Sequence, residues 1–268
     1  MNILSTLTVS LVAMLALGGC NATDDGLLFW GEGVTGSGTS AKDVRSFSVL
    51  RGVHLATIGD LRVEKGDRDE LVIETDDNLL KYFTTTVDDG ILRIDIEDGI
   101  SIRTRSDVRY HLTTTSLELL RTSSSGDITA KDCAGETVEV RISSSGDITV
   151  RDINATDVRI GTSSSGDVRV AMLQAQRLDA RLSSSGDVEI RDGSVEHQEV
   201  RVSSSGDYDA VGLRSLHADA HTSSSGDIRL WAVDRLRASS SSSGSVRFRG
   251  NPDVEARSSS SGDIARIP

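Results

Sequence analysis

Seven aspartates recur at one place in a repeated phrase. Asp127, Asp147, Asp167, Asp187, Asp207 and Asp227 each follow a glycine at one constant interval, and after Ser245 the series resumes at Asp263. Carboxylate oxygens at a constant interval are the donor type that Ca²⁺ takes. If such residues stack about 4.8 Å apart, neighbouring charges repel by about 0.9 kcal/mol in water, so something must offset them. A backbone N–H bonded at each bend, helped by nearby arginine, meets that need without a metal. The Gly-Asp pair lacks the second glycine and the spacing of nonapeptide calcium repeats. Turn capping is therefore the favoured role of the column, with Ca²⁺ as the alternative cofactor.

Other reactive groups do not assemble into a recognisable centre. Asp207 and Asp209, like Asp187 and Glu189, are two apart and share a strand face, a spacing that suits a glycosidase pair. Nothing in their surroundings separates a general acid from a nucleophile, and a chain with 41 acidic residues yields such pairs by chance. The histidines are His54, His111, His197, His217 and His221. The step from His217 to His221 spreads them by about 13 Å along a strand. Cys133 sits where other repeats carry Ile, Leu or Val, which suits a small buried hydrophobe. The expectation is a protein that is not an enzyme.

The elements that position these groups come from the repeat itself. The phrase Ser-Ser-Gly-Asp places Gly126, Gly146, Gly166, Gly186, Gly206 and Gly226 at equal steps, and Gly244 and Gly262 follow at slightly shorter ones. Such a period marks a solenoid. Counting from each glycine, position +2 is Ile128, Ile148, Val168, Val188, Tyr208, Ile228, Val246 and Ile264, and position +4 runs from Ala130 and Val150 to Phe248. Position −6 runs from Leu120 and Val140 to Ala256, while −5, +3 and +5 are mostly charged. Apolar spacing of two defines strands with one dry and one wet side. The fold class that follows is all-β, a parallel β-solenoid (β-helix) with coils of about 18–20 residues. The glycine is expected at φ > 0 in a sharp corner. The middle serine of each triplet (Ser124, Ser144, Ser164 and their equivalents) is expected to point inward, and position +7 (Cys133, Ile153, Leu173, Leu213, Val233) to form a third buried column. The outward serines resemble an ice-binding hydroxyl array, but charged flanks and missing threonine methyls argue against that use.

The N-terminus carries an address. Residues 3–19 are apolar and end in Leu17-Gly18-Gly19-Cys20, which resembles a bacterial lipoprotein processing site. The stretch is too short for a confident membrane span. Cys20 is the expected lipid attachment residue, and Asn21 after it suits sorting to the outer membrane of a Gram-negative bacterium, on either the periplasmic or the surface face. Residues 1–19 are then the signal peptide and 20–40 a glycine-rich tether.

Charge and aromatic content exclude partners. The chain is net −12 with 3% aromatic residues. Neither residues 21–120 nor residues 121–268 offer the basic, aromatic face that nucleic acid requires.

Residues 41–120 are β-rich but irregular, with Asp89-Gly90 as a hairpin turn, a short helical turn near residues 77–83, and the expected task of supplying leading coils or their cap. Arg45, Phe47 and Val49, then Glu74-Thr75-Asp76-Asp77-Asn78-Leu79-Leu80, then Gly90-Ile91-Leu92-Arg93-Ile94, the serial Ser-Gly-Asp coils and Phe248-Arg249-Gly250-Asn251-Pro252 together resemble the bacterial GIN-domain family. That family is labelled an auto-transporter adhesin head domain of unknown function. The resemblance implies an exported β-solenoid over residues 40–266 and carries no catalytic residue across.

The domain reading is a β-rich part over 41–120 and a repeat solenoid over 121–268. The function expected is a cell-envelope lipoprotein that binds, adheres or scaffolds, with an unknown envelope protein or glycan as partner and the lipid bilayer reached through acylated Cys20. The alternatives are a polysaccharide-active or polysaccharide-binding β-helix, or an accessory of envelope stress or assembly. Arg266, Pro268 and the polar terminal serines blunt the last coil, so a monomer or weak self-association is expected.

Overall fold

The computed structural model describes residues 32–259 and 261–268. Alternation of apolar and polar residues forms the expected parallel β-solenoid. Long strands Ile128–Ile142, Ile148–Thr162, Val168–Leu182, Val188–Val202, Tyr208–Thr222 and Ile228–Ser240 stack in parallel. The register pairs each residue with its repeat equivalent, for example Ile128 with Ile148 and Val140 with Ile160. Parallel stacking satisfies the backbone of each interior coil from both sides.

The inward columns at +2, +4 and −6 are buried from Ile128 to Val246, Ala130 to Phe248 and Leu120 to Ala238. Ala256, at −6 of the last coil, is exposed. A further buried column, Val138, Val158, Leu178, Gln198, Ala218 and Leu236, lies at −8. At +7, Cys133, Ile153, Leu173 and Leu213 are buried, but Val233 is not. The register between Tyr208–Thr222 and Ile228–Ser240 shifts there, so Ala232 takes the inner place.

The middle serine does not line the core. Ser124, Ser144 and Ser164 are only half-buried, because alternation stops where the chain bends. The inward residue before the bend stands at −4: Thr122, Ile142, Thr162, Leu182, Val202, Thr222 and Ser240. Buried hydroxyls there bond within the corner, as Thr122 Oγ1 to Gly126 O at 3.0 Å and Thr222 Oγ1 to Gly226 O at 2.8 Å.

The N-terminal part holds two leading coils and a cap. Gly52–Leu55 and Asp60–Lys65 form a coil below that of Gly126. Ile91–Ile96 and Arg109–Thr114 form the next one outward. The chain therefore lays down the inner coil first and returns past it. Ser40–Phe47 pairs antiparallel with Asp69–Asp76, which pairs antiparallel with Arg109–Thr114. Phe83–Asp88 and Ile91–Ile96 form a hairpin, with Asp89 at φ 47° and Gly90 at φ 71° in its turn. A single 3-10 turn covers Leu80–Tyr82.

The tether boundary needs correcting. Glu32–Thr35 is a strand paired with Ile100–Arg103, and Ser40 already belongs to the cap, so residues 32–40 are structured. Asp76 explains why the segment is held: its carboxylate accepts the N–H groups of Gly38, Arg105 and Ser106 at 2.8, 2.8 and 3.1 Å. Residues 20–31 lie outside the described residues, as does the signal segment.

The period-two register can be tested by neighbouring substitutions. Ile148 is fully buried and Thr149 is exposed. Ile148→Asp should cost about 4 kcal/mol or more by burying an unpaired carboxylate, whereas Thr149→Asp should stay within about 0.5 kcal/mol. Chemical denaturation of both variants checks this, and equal losses would overturn the register.

Candidate functional site

The corner that repeats the aspartates is built by close approach of backbones. Among Gly126, Gly146, Gly166, Gly186, Gly206, Gly226, Gly244 and Gly262, none adopts positive φ, so the expectation of a left-handed corner is corrected. A Cβ on Gly146 would stand 2.2 Å from Gly126 O, and Gly166, Gly186 and Gly226 meet the preceding carbonyl at the same distance. The glycine is needed because the neighbouring coil occupies the space of a side chain.

Each aspartate bonds to the coil that follows. Asp127 Oδ1 accepts the N–H of Asp147 at 2.9 Å, and the pattern continues through Asp147, Asp167, Asp187 and Asp207 to Asp227, which accepts Ser245 N–H at 2.8 Å. Arg169 lies 2.7 Å from both Asp147 and Asp167. One donor per coil thus faces one carboxylate per coil. No cluster of three or more His, Cys, Asp or Glu side chains suited to a metal ion occurs among the described residues.

The acidic pairs lie along a shallow groove of about 310 Å³ with Asp167, Arg169 and Asp187. Asp209 Oδ2 accepts Arg229 at 2.8 Å, Asp207 is engaged as above, and Glu189 accepts Arg191 at 3.0 Å. Each carboxylate is a partner in a hydrogen bond or ion pair, an arrangement suited to holding strands together.

Histidines and cysteine stay apart. His217 stacks beside His197, which is 3.2 Å from Asp219, while His221 bonds Ser239. Burial, reinforced by Asp132, pushes the Cys133 thiol up to about 12, so it remains protonated and unreactive. Cys20 lies outside the described residues.

The charged position −5 is extended by the register into a basic column that runs from the leading coils to the last one. Parallel register aligns Arg93, His54, Arg121, Arg141, Gly161, Arg181, Arg201, His221, Ser239 and Arg257. Beside it, position −7 carries Glu139, Arg159, Asp179, Glu199, Asp219, Arg237 and Glu255. Pairs within a strand, Arg141 with Glu139, Arg181 with Asp179 and Arg201 with Glu199, neutralise much of it. The alternating charge at −7 and −5 stands in the sequence as Glu139 with Arg141, Asp179 with Arg181 and Glu199 with Arg201.

His54 shows how the column tunes its members. Arg93 donates to its Nδ1 at 3.1 Å and Ser123 Oγ lies 2.7 Å from Nε2, which places the proton on Nε2. Burial lowers its pKa to about 4, assisted by Arg121 and Arg93.

Comparison with known proteins bears on the fold. The family model described as "Putative auto-transporter adhesin, head GIN domain" matches residues 50–170 and 139–252. No curated protein matches. A crystal structure from Parabacteroides distasonis described as a "putative lipid binding protein" is 22% identical with TM-score 0.82, covering 88% of this chain and 100% of that one. A "putative adhesin" from Parabacteroides merdae is 16% identical with TM-score 0.84 over 88% and 99%. Another from P. distasonis is 19% identical with TM-score 0.83 over 88% and 100%. At these identities the likeness establishes a shared fold.

Two measurements test the corner and the column. Gly146→Ala should destabilise by about 1–3 kcal/mol through overpacking, while Gly161→Ala, whose new Cβ would meet nothing closer than Arg141 Cγ at 3.9 Å, should stay within about 0.5 kcal/mol. Thermal unfolding compares them, and a neutral Gly146→Ala would refute the close-approach account. His54 has a folded pKa below its unfolded value of 6.5, so its neutral form contributes stability above that value, lost as pH falls toward about 4. Proton NMR titration of His54 should give a midpoint near 4, and His54→Gln should weaken the loss of stability between pH 6.5 and 4.

Proposed function

We propose, because the chain belongs to the head GIN domain family, that it is a non-enzymatic binding module displayed at the bacterial cell envelope, adhesin-like in role. The observation that carries this reading is the outer surface: polar columns repeat in register through the regular coils, and the acidic groups that could do chemistry are spent on backbone bonds between coils and on ion pairs. Repetition on a rigid scaffold presents one motif many times, which suits an extended partner more than a small substrate.

The anchor in this proposal is a lipid on Cys20. The apolar segment ending Leu17-Gly18-Gly19-Cys20 supports it, and no helix among the described residues is long and apolar enough to cross a membrane. More than one acyl chain on a single cysteine binds a bilayer stably without any span. Asn21 favours the outer membrane.

Cys20→Ser should move the protein from the membrane fraction to the soluble fraction, or block its processing, while leaving the domain folded. Retention on membranes after alkaline washing would overturn the anchor. For the module, wild-type protein should sediment with isolated envelope material that has been stripped of its own copies. Absence of any such binding would overturn the binding role.

A further inference from the structure

We infer that the basic face of the solenoid around Gly161 is a binding groove for a linear acidic polysaccharide, an inference that rests on the reading of the chain as an envelope-binding module. The groove encloses about 560 Å³ and is lined by Arg121, Arg141, Arg159 and Arg181, with Asp179 as its one carboxylate. At position −5 the strand that should carry an arginine carries Gly161, and the missing side chain opens a gap between Arg141 and Arg181. Arg141 pairs with Glu139 at the rim and Arg181 grips Asp179 at 2.7 and 3.0 Å. Arg121 and Arg159 have no ion-pair partner among the described residues, and both are exposed. Asp157, half-buried beside Arg159 on the same face, is 3.9 Å from Arg177 instead.

The same two columns further along the stack supply a contrast. There a groove of about 600 Å³ is lined by Arg201, Arg237 and Arg257 together with Glu199, Asp219 and Glu255. Three cations meet three carboxylates, and the face neutralises itself. Around Gly161 four cations meet two, Asp179 in the groove and Glu139 at its rim. Uncompensated like charges on a stacked column cost energy, so an excess of this kind favours an anionic ligand.

The shape and the remaining polar groups select the ligand class. Coils stack about 4.8 Å apart, so the arginines at −5 recur at about 4.8 and 9.6 Å along one line, which fits regularly spaced charges on an extended chain. Ser143, Ser163 and Ser183 flank that line. Their hydroxyls point back to strand carbonyls at 3.3–3.5 Å, which leaves the serine oxygens free to accept sugar hydroxyl donors. Arginine forks recognise carboxylate or sulfate on the sugars. An anionic bilayer fits less well. The exposed large apolar side chains, Val44, Val49, Val87 and Val254, lie off the groove, and a net charge of −12 opposes adsorption to a negative surface.

The test uses the full-length purified chain and polygalacturonate, a linear uronic acid polymer, with its fully methyl-esterified form as the neutral control. Polygalacturonate should bind at low salt and be released near 1 M salt, where the screening length is about 3 Å. Arg121→Gln combined with Arg159→Gln should weaken binding about tenfold with unchanged thermal stability. Asp179→Asn, which frees Arg181, should tighten it, and Arg201→Gln on the balanced groove should leave it unaltered. Three results would overturn the inference: no binding of the acidic polymer, equal binding of the methyl ester, or equal binding by the double variant. Stronger binding to polyglutamate or to phosphatidylglycerol vesicles than to polygalacturonate would replace the glycan by an acidic peptide or a membrane. If the double variant still sediments with stripped envelope material as wild type does, this groove fails while the binding module stands.

Discussion

Through the regular coils each side chain lies upon its own counterpart one coil away, about 4.8 Å distant, and this in-register stacking governs the rest of the molecule. An apolar column gains from it, since Ile128 packs on Ile148 and Ile148 on Val168 with no mismatch of shape. A charged column is penalised, since like sits on like. A tight corner is penalised too, because the backbone of one coil approaches the backbone of the next. The Gly-Asp pair answers both difficulties at one place. Glycine clears the 2.2 Å approach to the previous carbonyl, and the aspartate converts self-repulsion into a ladder of N–H to carboxylate bonds.

The flat faces handle their charges differently. Position −7 tends to oppose the sign of position −5 within one strand, so Glu139 meets Arg141 and Asp179 meets Arg181 before either feels its stacked neighbour. Exposed pairs of this kind contribute little each, about 0–1 kcal/mol. Their value is in cancelling the column's repulsion. Where Arg159 replaces an acid at −7 and Gly161 removes the arginine at −5, the cancellation fails locally and the surface acquires a field of its own.

The repeat made the solenoid and its inward columns legible from the sequence alone, because a constant period exposes them by simple alignment, whereas the aspartates' bonds to the next coil instead of their own bend needed the stacking itself. The leading coils were harder to read. Gly59-Asp60 holds the same place in its coil, with Val53 and Leu55 before it and Leu61 and Val63 after it all buried, but Gly59 takes φ 98° and Thr57-Ile58 stands in place of the serines and hides the phrase. The next coil is opened at its corner by residues 97–108 and follows its inner neighbour in the chain, so no linear period survives. The middle serine was misplaced for a physical reason: alternation holds only while the strand is straight, and the bend resets which side faces in. Glu32–Thr35 carried no signal beyond glycine-rich composition, since its pairing partner, Ile100–Arg103, is remote in the chain and lies beyond the whole inner coil.

Departures from the repeat separate into those the core explains and those it does not. Gln198 replaces an aliphatic residue at −8, yet its amide bonds Tyr208, Ser215 and the carbonyl of Trp231 at 3.1, 2.7 and 3.5 Å, and the cluster accompanies the register shift before the shorter coils. That substitution is part of the packing. A Cβ on Gly161 would point outward and meet no backbone of a neighbouring coil, and its φ is ordinary, so neither close approach nor conformation requires a glycine there. In a molecule whose repeated phrase is consumed by its own stacking, the proposed recognition rests on outward positions that break the rule without structural need. On the basic face that position is Gly161, with Arg159 beside it.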